Sequence, residues 1–239
     1  SADETVHMLQ DSGAKVLVAD AAHAQAVLTR QGEIPTLQRV VNIDDGYEAW
    51  IAGYPQTVVQ ASTNEDDVAV LHYTSGSSGV LKAAMQTYGN RMAMLRKFLA
   101  SPMRRAMPGD VQAHVGPITH ASGMNLMYLI YCGVASLLLG RFEEAELLNA
   151  IQTERVTRLF MVPTMINRIV NHPDIASYDL SSLKLVLYGA APMAPALVEK
   201  AIGLFGPILV QGYGAGETNS VVTILTEQDH VDALANNPK

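Results

Sequence analysis

The chain has 239 residues, of which 49% are hydrophobic, and this is enough apolar material for one large domain or two small ones. Its formal net charge of −7 and isoelectric point near 5.4 argue against nucleic acid and an anionic membrane surface as partners, since both normally require a basic face. The single cysteine, Cys132, excludes an internal disulfide and lies among apolar residues, which favours a buried, inert thiol in a reducing compartment.

The N-terminal residues lack the charged and apolar regions of a signal peptide. Because the chain also does not begin with methionine, we expect a processed chain or an excised piece. Residues 121–140 carry no charge, but polar and glycine residues such as Ser122, Asn125 and Gly133 interrupt them. We therefore predict core elements there instead of a membrane span, in a soluble cytoplasmic protein.

Strand-like and helix-like segments alternate along the chain. In chain order, the predicted elements are a strand at residues 15–20, a helix to Arg30, a polar connector at residues 32–65 with a short strand near residues 40–43, a strand at residues 68–71, a helix at 89–100, a strand at 111–115, a helix at 123–132, a strand at 136–139, a helix at 143–154, a strand at 159–162, a helix from Pro163, a strand at 183–188, a helix from Pro195 to Gly206 and a strand at 208–210.

This alternation, with strands that are almost continuously apolar, predicts an α/β fold with a mostly parallel sheet and helices on both faces. Residues 123–132 are apolar all round, which predicts a buried helix. In open sheets of this kind, ligands bind beyond the carboxyl ends of the strands. Residues 74–82, 116–123, 189–192 and 212–217 each follow a predicted strand, so we expect them to converge on one site.

The first of these segments combines hydroxyl side chains, glycine and lysine. Its candidate residues are Thr74, Ser75, Gly76, Ser77, Ser78, Gly79 and Lys82. Glycine lets the backbone approach an anion closely, and successive N–H groups, hydroxyls and a lysine can surround a phosphate. A flexible Gly/Ser connector is the alternative interpretation. The P-loop NTPase motif is excluded, because Gly76 and Gly79 are too close together and Ala83 stands where that motif has a hydroxyl.

Three motifs in order resemble those of the adenylate-forming superfamily, which includes acyl-CoA ligases, firefly luciferase and the adenylation domains of peptide synthetases. They are YTSGSSGVLK at residues 73–82, YGAAP at 188–192 and QGYGAGET at 211–218. The resemblance implies the large N-terminal domain of such an enzyme. It also implies a two-step reaction, in which a carboxylate attacks the α-phosphate of ATP and a thiol, usually coenzyme A, then displaces AMP.

The resemblance also implies a role for each matching residue. The first motif would hold the β- and γ-phosphates, with Lys82 acting in catalysis, and Glu217 would bind Mg²⁺, a hard cation that prefers oxygen ligands. Tyr213 would lie against the adenine face. The other implied nucleotide-binding residues are Gly189, Ala190, Ala191 and Pro192 at the adenine edge, and Gln211, Gly212, Gly214 and Thr218 around Tyr213.

The segment after residues 111–115 concerns the acid substrate. The resemblance places His120, Gly123 and Met124 beside the acyl pocket, although a structural histidine and a flexible core methionine are alternatives. We expect His72, His114 and His172 to be structural or surface residues. Residues 115–139 contain no acidic side chain that could pair with an ammonium group, which argues against an amino acid. An apolar fatty or aryl acid fits better.

The chain departs from the family pattern at Leu81, Ala83 and Gly216, where proline, glycine and a hydroxyl residue are usual. It is also shorter than family members. We therefore expect an internal piece of the N-terminal domain, with a peripheral βα portion and connector at residues 1–64 and a nucleotide-binding core at 65–239. The mobile C-terminal domain and its adenylation lysine would lie outside it, so we expect the piece alone to be inactive. Alternatives are a ligase that loads an acyl carrier protein and a degenerate nucleotide-binding module.

Overall fold

The computed structural model describes residues 1–74 and 81–236, except for the side chain of Ser220. The chain divides into two compact units, Ser1–Tyr88 and Gly89–Lys239. Each unit has its own sheets and its own buried apolar side chains, and the two are therefore described in turn.

The first unit begins with a helix that the sequence analysis did not predict. Ser1 caps this helix, because its hydroxyl accepts a hydrogen bond from the Glu4 N–H at 3.3 Å. In chain order, the first elements are α1 (Ala2–Ser12), β1 (Val16–Ala19), α2 (Ala21–Leu28), β2 (Arg39–Asn42) and α3 (Tyr47–Ala52). β1 and β2 pair in parallel, which confirms the short strand expected within the connector. The buried apolar core of this part of the unit consists of Val6, Leu9, Val27, Ile34 and Leu37.

Two further strands of this unit form an antiparallel pair, β3 (Val68–Thr74) and β4 (Lys82–Thr87). The strand predicted at residues 68–71 is present within β3. It was expected to be buried and is not, because Val68 and Val70 are 49% and 38% exposed. β4 was not predicted, since its sequence lacks a long apolar run. The pair shortens the predicted loop: Thr74 and Lys82 are paired strand residues, and residues 75–80 lie outside the described part of the chain.

The second unit contains a six-stranded sheet in the order β10-β9-β8-β7-β5-β6. Its elements are, in chain order, α4 (Tyr88–Ala100), β5 (Val111–His114), α5 (Leu126–Tyr131), β6 (Ala135–Leu138), α6 (Glu144–Thr153), β7 (Arg158–Met161), α7 (Pro163–Val170), β8 (Leu185–Gly189), α8 (Pro195–Phe205), β9 (Leu209–Ala215), β10 (Ser220–Leu225) and α9 (Glu227–Asn236). All neighbouring strands are parallel except β9 and β10. The predicted mostly parallel sheet is confirmed.

Helices cover both faces of this sheet, as the alternation of side chains along β8 demonstrates. Val186 and Tyr188 pack in one apolar cluster with side chains from α6, α7 and α8. Leu185 and Leu187 pack in a second cluster with side chains from α4 and α5. Because β8 is buried along its whole length, its carboxyl end is a rigid place from which to present a loop.

One helix differs from its prediction. The segment at residues 123–132 was expected to be helical and buried all round, but α5 is shorter and follows a 3-10 turn at Ala121–Gly123. Tyr128 and Leu129 are buried, whereas Ile130 and Tyr131 are 67% and 64% exposed. Hydrophobicity on every face was therefore not sufficient evidence for burial on every face.

The carboxyl end of the sheet also differs from its prediction. Residues 212–217 were expected to form a loop, but β9 continues to Ala215 and turns back into β10 through the 3-10 turn Gly216–Thr218. The glycines concealed the strand, because glycine normally weakens a strand interior. The QGYGAGET motif therefore forms one arm and the turn of an antiparallel hairpin.

Cys132 is buried, as predicted. None of the helices formed by residues 1–74 and 81–236 is long and apolar enough to cross a membrane.

An ion pair between a half-exposed lysine and a buried aspartate joins the residue before β8 to the residue before β5. Asp110 has 4% of its side chain exposed and accepts a hydrogen bond from Lys184 Nζ at 2.7 Å. Burial alone would raise the pKa of Asp110, but hydrogen bonds from Lys184, Met107 and Thr157 outweigh burial and lower it. The folded state therefore favours the ionised carboxylate.

We predict that Asp110→Asn destabilises the fold by about 2 kcal/mol at neutral pH, the scale of a hydrogen bond to a charged group. Because the folded pKa is lowered, the wild-type advantage is complete above the unfolded value of about 3.9 and is lost as the pH falls through the folded value. Urea unfolding at neutral and acidic pH measures this difference. A constant difference between wild type and Asp110→Asn across that range would contradict it.

Candidate functional site

The centre of the candidate site is the place where β8 ends beside Gly212 of β9. Gly189 is paired with Gly212 in the parallel register. A Cβ atom built on Gly189 would lie 2.3 Å from the carbonyl oxygen of Gly212, closer than real Cβ atoms come to any atom. Only glycine at position 189 permits this approach. The pairing brings the segment after β8 next to the strand that carries Tyr213.

The segment after β8 is exposed and has an unusual backbone. Ala190, Ala191 and Pro192 are all exposed, and Ala190 has a left-handed φ of 66°. A residue with a Cβ atom rarely adopts that conformation, and such strained positions are concentrated at ligand sites. The strand below holds the segment firmly, since Gly189 is itself buried.

Tyr213 projects from β9 with 67% of its surface exposed, although it stands in a sheet with a buried core. Its neighbours Gly212 and Gly214 have no side chains to cover the ring. An exposed ring beside the exposed backbone of residues 190–192 offers a face for stacking and an edge for hydrogen bonds, the two contacts that a planar base requires. These residues fit an adenine group.

The turn between β9 and β10 carries Glu217, which is exposed. The Thr218 hydroxyl accepts a hydrogen bond from the Ala215 N–H at 3.0 Å and donates one to the Ala215 carbonyl at 2.9 Å. These bonds close the turn and leave the Glu217 side chain at its surface. Thr218 therefore has a defined structural contact within the motif.

Asn219 completes the turn in a left-handed conformation, with φ 54°. Its side-chain oxygen accepts a hydrogen bond from Arg91 of α4 at 3.3 Å. Partial burial lowers the pKa of Arg91, but arginine remains protonated at physiological pH. Arg91 was not predicted as a site residue, because no local motif marks an arginine whose contact lies far away in the sequence.

Magnesium in nucleotide-dependent enzymes is usually bound through one or two carboxylates together with substrate phosphates. Within residues 1–74 and 81–236, no group of three or more histidine, cysteine, aspartate or glutamate side chains is arranged to hold a metal ion by itself. A single exposed carboxylate such as Glu217 fits a magnesium ion that is bound by the protein and by substrate phosphates together. The donor set is suitable for magnesium that arrives with a phosphate ligand.

A second loop follows β5, which is separated from β8 by β7. The buried His114 holds this loop, because its Nδ1 donates to the Ser122 carbonyl at 2.8 Å while its Nε2 lies 3.3 Å from the Ser136 hydroxyl. Burial lowers the pKa of His114, and the bond to Ser122 opposes this effect only in part. The structural role expected for His114 is confirmed.

The predicted substrate residues differ in their surroundings. Gly123 is buried, and a Cβ atom there would lie 1.9 Å from the Ile118 carbonyl oxygen, so the loop can close only with glycine. Met124 is half-buried and packs against the cluster formed with α4 and α5. His120 is exposed. The loop therefore presents His120 from a braced backbone.

Beneath the Gly189 segment lies a buried tyrosine–histidine pair. The Tyr188 hydroxyl donates to His230 Nε2 at 2.9 Å, and His230 Nδ1 donates to the Thr226 carbonyl at 2.6 Å. Burial raises the pKa of Tyr188 to about 12, so the hydroxyl keeps its proton at physiological pH. This pair fixes α9 against β8 directly below the candidate site.

The remaining predicted phosphate residues belong to the first unit. Thr74 and Lys82 face each other across the β3–β4 pair, and Lys82 is exposed. Ser75, Gly76, Ser77, Ser78 and Gly79 lie outside the described residues. Their assignment stays a prediction from the motif.

A comparison with protein families gives one match across almost the whole chain. The family described as AMP-binding enzyme matches residues 1–237. The chain belongs to this family. The resemblance inferred from the three motifs is confirmed.

Two curated relatives of this AMP-binding family member are named as a CoA ligase and a CoA synthase. It is 35% identical over 207 residues to a medium/long-chain-fatty-acid–CoA ligase, FadD8, of Mycobacterium tuberculosis. It is 34% identical over 231 residues to a feruloyl-CoA synthase of an Amycolatopsis species. These matches cover 86% and 95% of this chain but only 35% and 44% of the two relatives.

A solved structure supports the fold. The N-terminal domain of FACL13 from Mycobacterium tuberculosis superposes with a TM-score of 0.85 at 23% identity, covering 97% of this chain and 58% of that one. At this identity the likeness concerns the fold alone, and it agrees with the expected N-terminal domain of an adenylate-forming enzyme.

We predict that Gly189→Ala disrupts the candidate site, because the new methyl group would overlap the Gly212 carbonyl. Overpacking of this kind costs about 1–3 kcal/mol and separates the two strand ends. Denaturant unfolding and calorimetric titration with Mg-ATP measure both effects.

Gly203→Ala is the matched control, because Gly203 lies in α8 with no atom within 4 Å of a built Cβ. It should preserve binding and raise stability by about 0.5–1 kcal/mol through its helix propensity. Equal behaviour of the two variants would contradict the role of the close approach.

At Asn219, we predict that glycine is tolerated better than alanine. Both substitutions remove the bond to Arg91, but only alanine also retains a Cβ atom in the left-handed conformation, at a cost of about 1 kcal/mol. Thermal unfolding of Asn219→Gly and Asn219→Ala compares them. A less stable Asn219→Gly protein would show that the left-handed turn is not retained in solution.

Proposed function

We propose that the whole protein is an AMP-forming carboxylic acid–CoA ligase that acts on an apolar fatty or aryl acid. The observation that carries the proposal is the exposed Tyr213 beside the segment after β8, fixed there by the Gly189–Gly212 approach in a chain of the AMP-binding family. The names of two relatives, a medium/long-chain fatty-acid ligase and a feruloyl ligase, support this substrate class.

In the first step, an oxygen of the acid carboxylate forms a bond to the α-phosphorus of ATP, and the bond to the pyrophosphate oxygen breaks. We assign adenine binding to Tyr213 and residues 189–192, and phosphate binding to residues 74–79 and Lys82. Lys82 would stabilise the charge on the departing pyrophosphate, and Glu217 would hold the Mg²⁺ that accompanies the nucleotide. Catalysis by such groups rests on positioning and charge, because a carboxylate is a weak nucleophile.

In the second step, the sulfur of coenzyme A forms the thioester and AMP leaves with the electrons of the broken carbon–oxygen bond. We assign the acyl side of the site to the loop after β5, with His120 at its exposed surface and Gly123 and Met124 behind it. Residues 115–139 contain no carboxylate to pair with a substrate ammonium, which favours an apolar acid over an amino acid.

The chain spans less than half the length of the curated relatives described above. We therefore expect these 239 residues alone to form no thioester. The single buried cysteine is consistent with a cytoplasmic location.

The test is acid-dependent ATP–pyrophosphate exchange by the complete protein with a panel of fatty and aromatic acids, followed by thioester detection with coenzyme A. We expect Lys82→Met and Glu217→Gln each to lower the exchange rate about a hundredfold, the usual effect of losing one electrostatic stabiliser. Extra Mg²⁺ should partly restore the exchange rate of Glu217→Gln but not that of Lys82→Met.

Lys200→Met and Glu199→Gln are the matched controls, since both residues are exposed on α8. They should exchange at the wild-type rate. Absence of exchange with every acid would refute the proposal in favour of a degenerate nucleotide-binding module. ATP–pyrophosphate exchange without thioester formation, together with acyl-adenylate that persists in the presence of coenzyme A, would instead indicate a carrier protein as the acceptor of the acyl group.

A further inference from the structure

Helix α1 makes side-chain hydrogen bonds to β3 and to the residue immediately before β4. The Tyr73 hydroxyl of β3 donates to the Asp11 carboxylate at 2.7 Å and lies 3.3 Å from the Met8 carbonyl. On the other side of the hairpin, His7 Nε2 donates to the Leu81 carbonyl at 3.2 Å. One helix therefore contacts the residues immediately before Thr74 and immediately before Lys82.

The helix is anchored through its opposite face. His7 and Asp11 are separated by one turn and lie on the same side of α1. Val6 and Leu9 are buried in the small core formed with Val27 and its neighbours. Since this core holds the helix in place, the hydrogen bonds of α1 restrain the positions of Tyr73 and Leu81.

The hairpin needs such support. A two-stranded antiparallel sheet is at best marginally stable in water, and several of its side chains remain exposed, among them Met85 at 70%. Its register pairs Thr74 with Lys82 and Tyr73 with Ala83. Fixing Tyr73 and Leu81 therefore fixes the spacing and direction of the next residue on each strand.

We propose that Tyr73, Asp11 and His7 are positioning residues, through which α1 sets the geometry of Thr74 and Lys82 for the nucleotide phosphates. This inference rests on the proposed function, because it assigns Lys82 to pyrophosphate. The Tyr73–Asp11 bond is the principal contact. It is short, its acceptor is charged, and partial burial together with Asp11 raises the pKa of Tyr73 to about 12, so the donor stays protonated.

The experiment is steady-state ATP–pyrophosphate exchange by the complete protein. Tyr73→Phe and Asp11→Ala should each raise the KM for Mg-ATP about tenfold, the change expected for one hydrogen bond to a charged group, while the KM for the acid stays constant. Asp11→Asn keeps an oxygen acceptor and should recover most of the loss. A purely structural contact would reduce the amount of active enzyme, and hence kcat, at constant KM.

Asp3→Asn is the control on the same helix. Asp3 is an exposed residue of α1 that pairs with Arg30 and makes no contact with β3 or β4 among the described residues. This variant removes a polar contact of α1 without touching the hairpin, and its KM for Mg-ATP should equal that of wild type. An equal rise in the KM for Mg-ATP in Asp3→Asn and Tyr73→Phe would overturn the proposal.

Hydrogen exchange provides a readout that is independent of activity. In Tyr73→Phe, amide exchange should accelerate in residues 82–87 of β4 relative to residues 16–19 of β1. Equal acceleration of amide exchange in both strands, or none in β4, would overturn the positioning role. This outcome would be informative even if the protein catalysed no ATP–pyrophosphate exchange. If the wild type catalyses ATP–pyrophosphate exchange and Tyr73→Phe has an unchanged KM for Mg-ATP, this inference alone is refuted. If the wild type catalyses no exchange, the proposed function is refuted.

Discussion

The candidate site depends on the contact between two backbones, Gly189 and Gly212. No side chain can occupy the space between them, so the carboxyl end of β8 lies close to Gly212 of β9 and in register with it. This contact determines where Tyr213 stands and how far it lies from residues 190–192. If the strands were spaced by a methyl group, the stacking face and the hydrogen-bonding edge would no longer be fixed relative to each other. The candidate site is therefore specified by the absence of side chains as much as by their presence.

Around this contact, buried residues hold each loop and exposed residues are available to ligands. His114 binds the loop after β5 through the Ser122 carbonyl, and the Tyr188–His230 pair holds α9 below β8. Arg91 binds the turn after Glu217 through Asn219. In each case one side chain fixes a neighbouring segment, while Tyr213, Glu217 and His120 remain exposed. Such an arrangement limits the ordering that ligand binding must impose, which is the basis of preorganisation.

Sequence alone predicted the parallel strands well, because β7 and β8 carry apolar runs flanked by loops or proline. It failed where tertiary contacts overrule local pattern. The end of β9 contains Gly212 and Gly214, and pairing with β10 makes this segment a strand. The three motifs located Tyr213, Glu217 and Lys82, whereas Arg91 and Asp11 could not be predicted, since nothing in the local sequence distinguishes them from surface residues.

The departures from the family pattern have different consequences once their contacts are known. At position 81 the contact with His7 uses the backbone carbonyl, which leucine and proline both supply. Ala83 pairs with Tyr73 inside a strand, where alanine loses less backbone entropy than glycine. Gly216 still accepts the Asn219 N–H that closes its turn, at 3.2 Å. Each substitution therefore preserves the backbone interaction that supports the motif, and only position 216 also lacks a side-chain hydroxyl. The altered motifs argue for a working variant of the site more strongly than for a degenerate one.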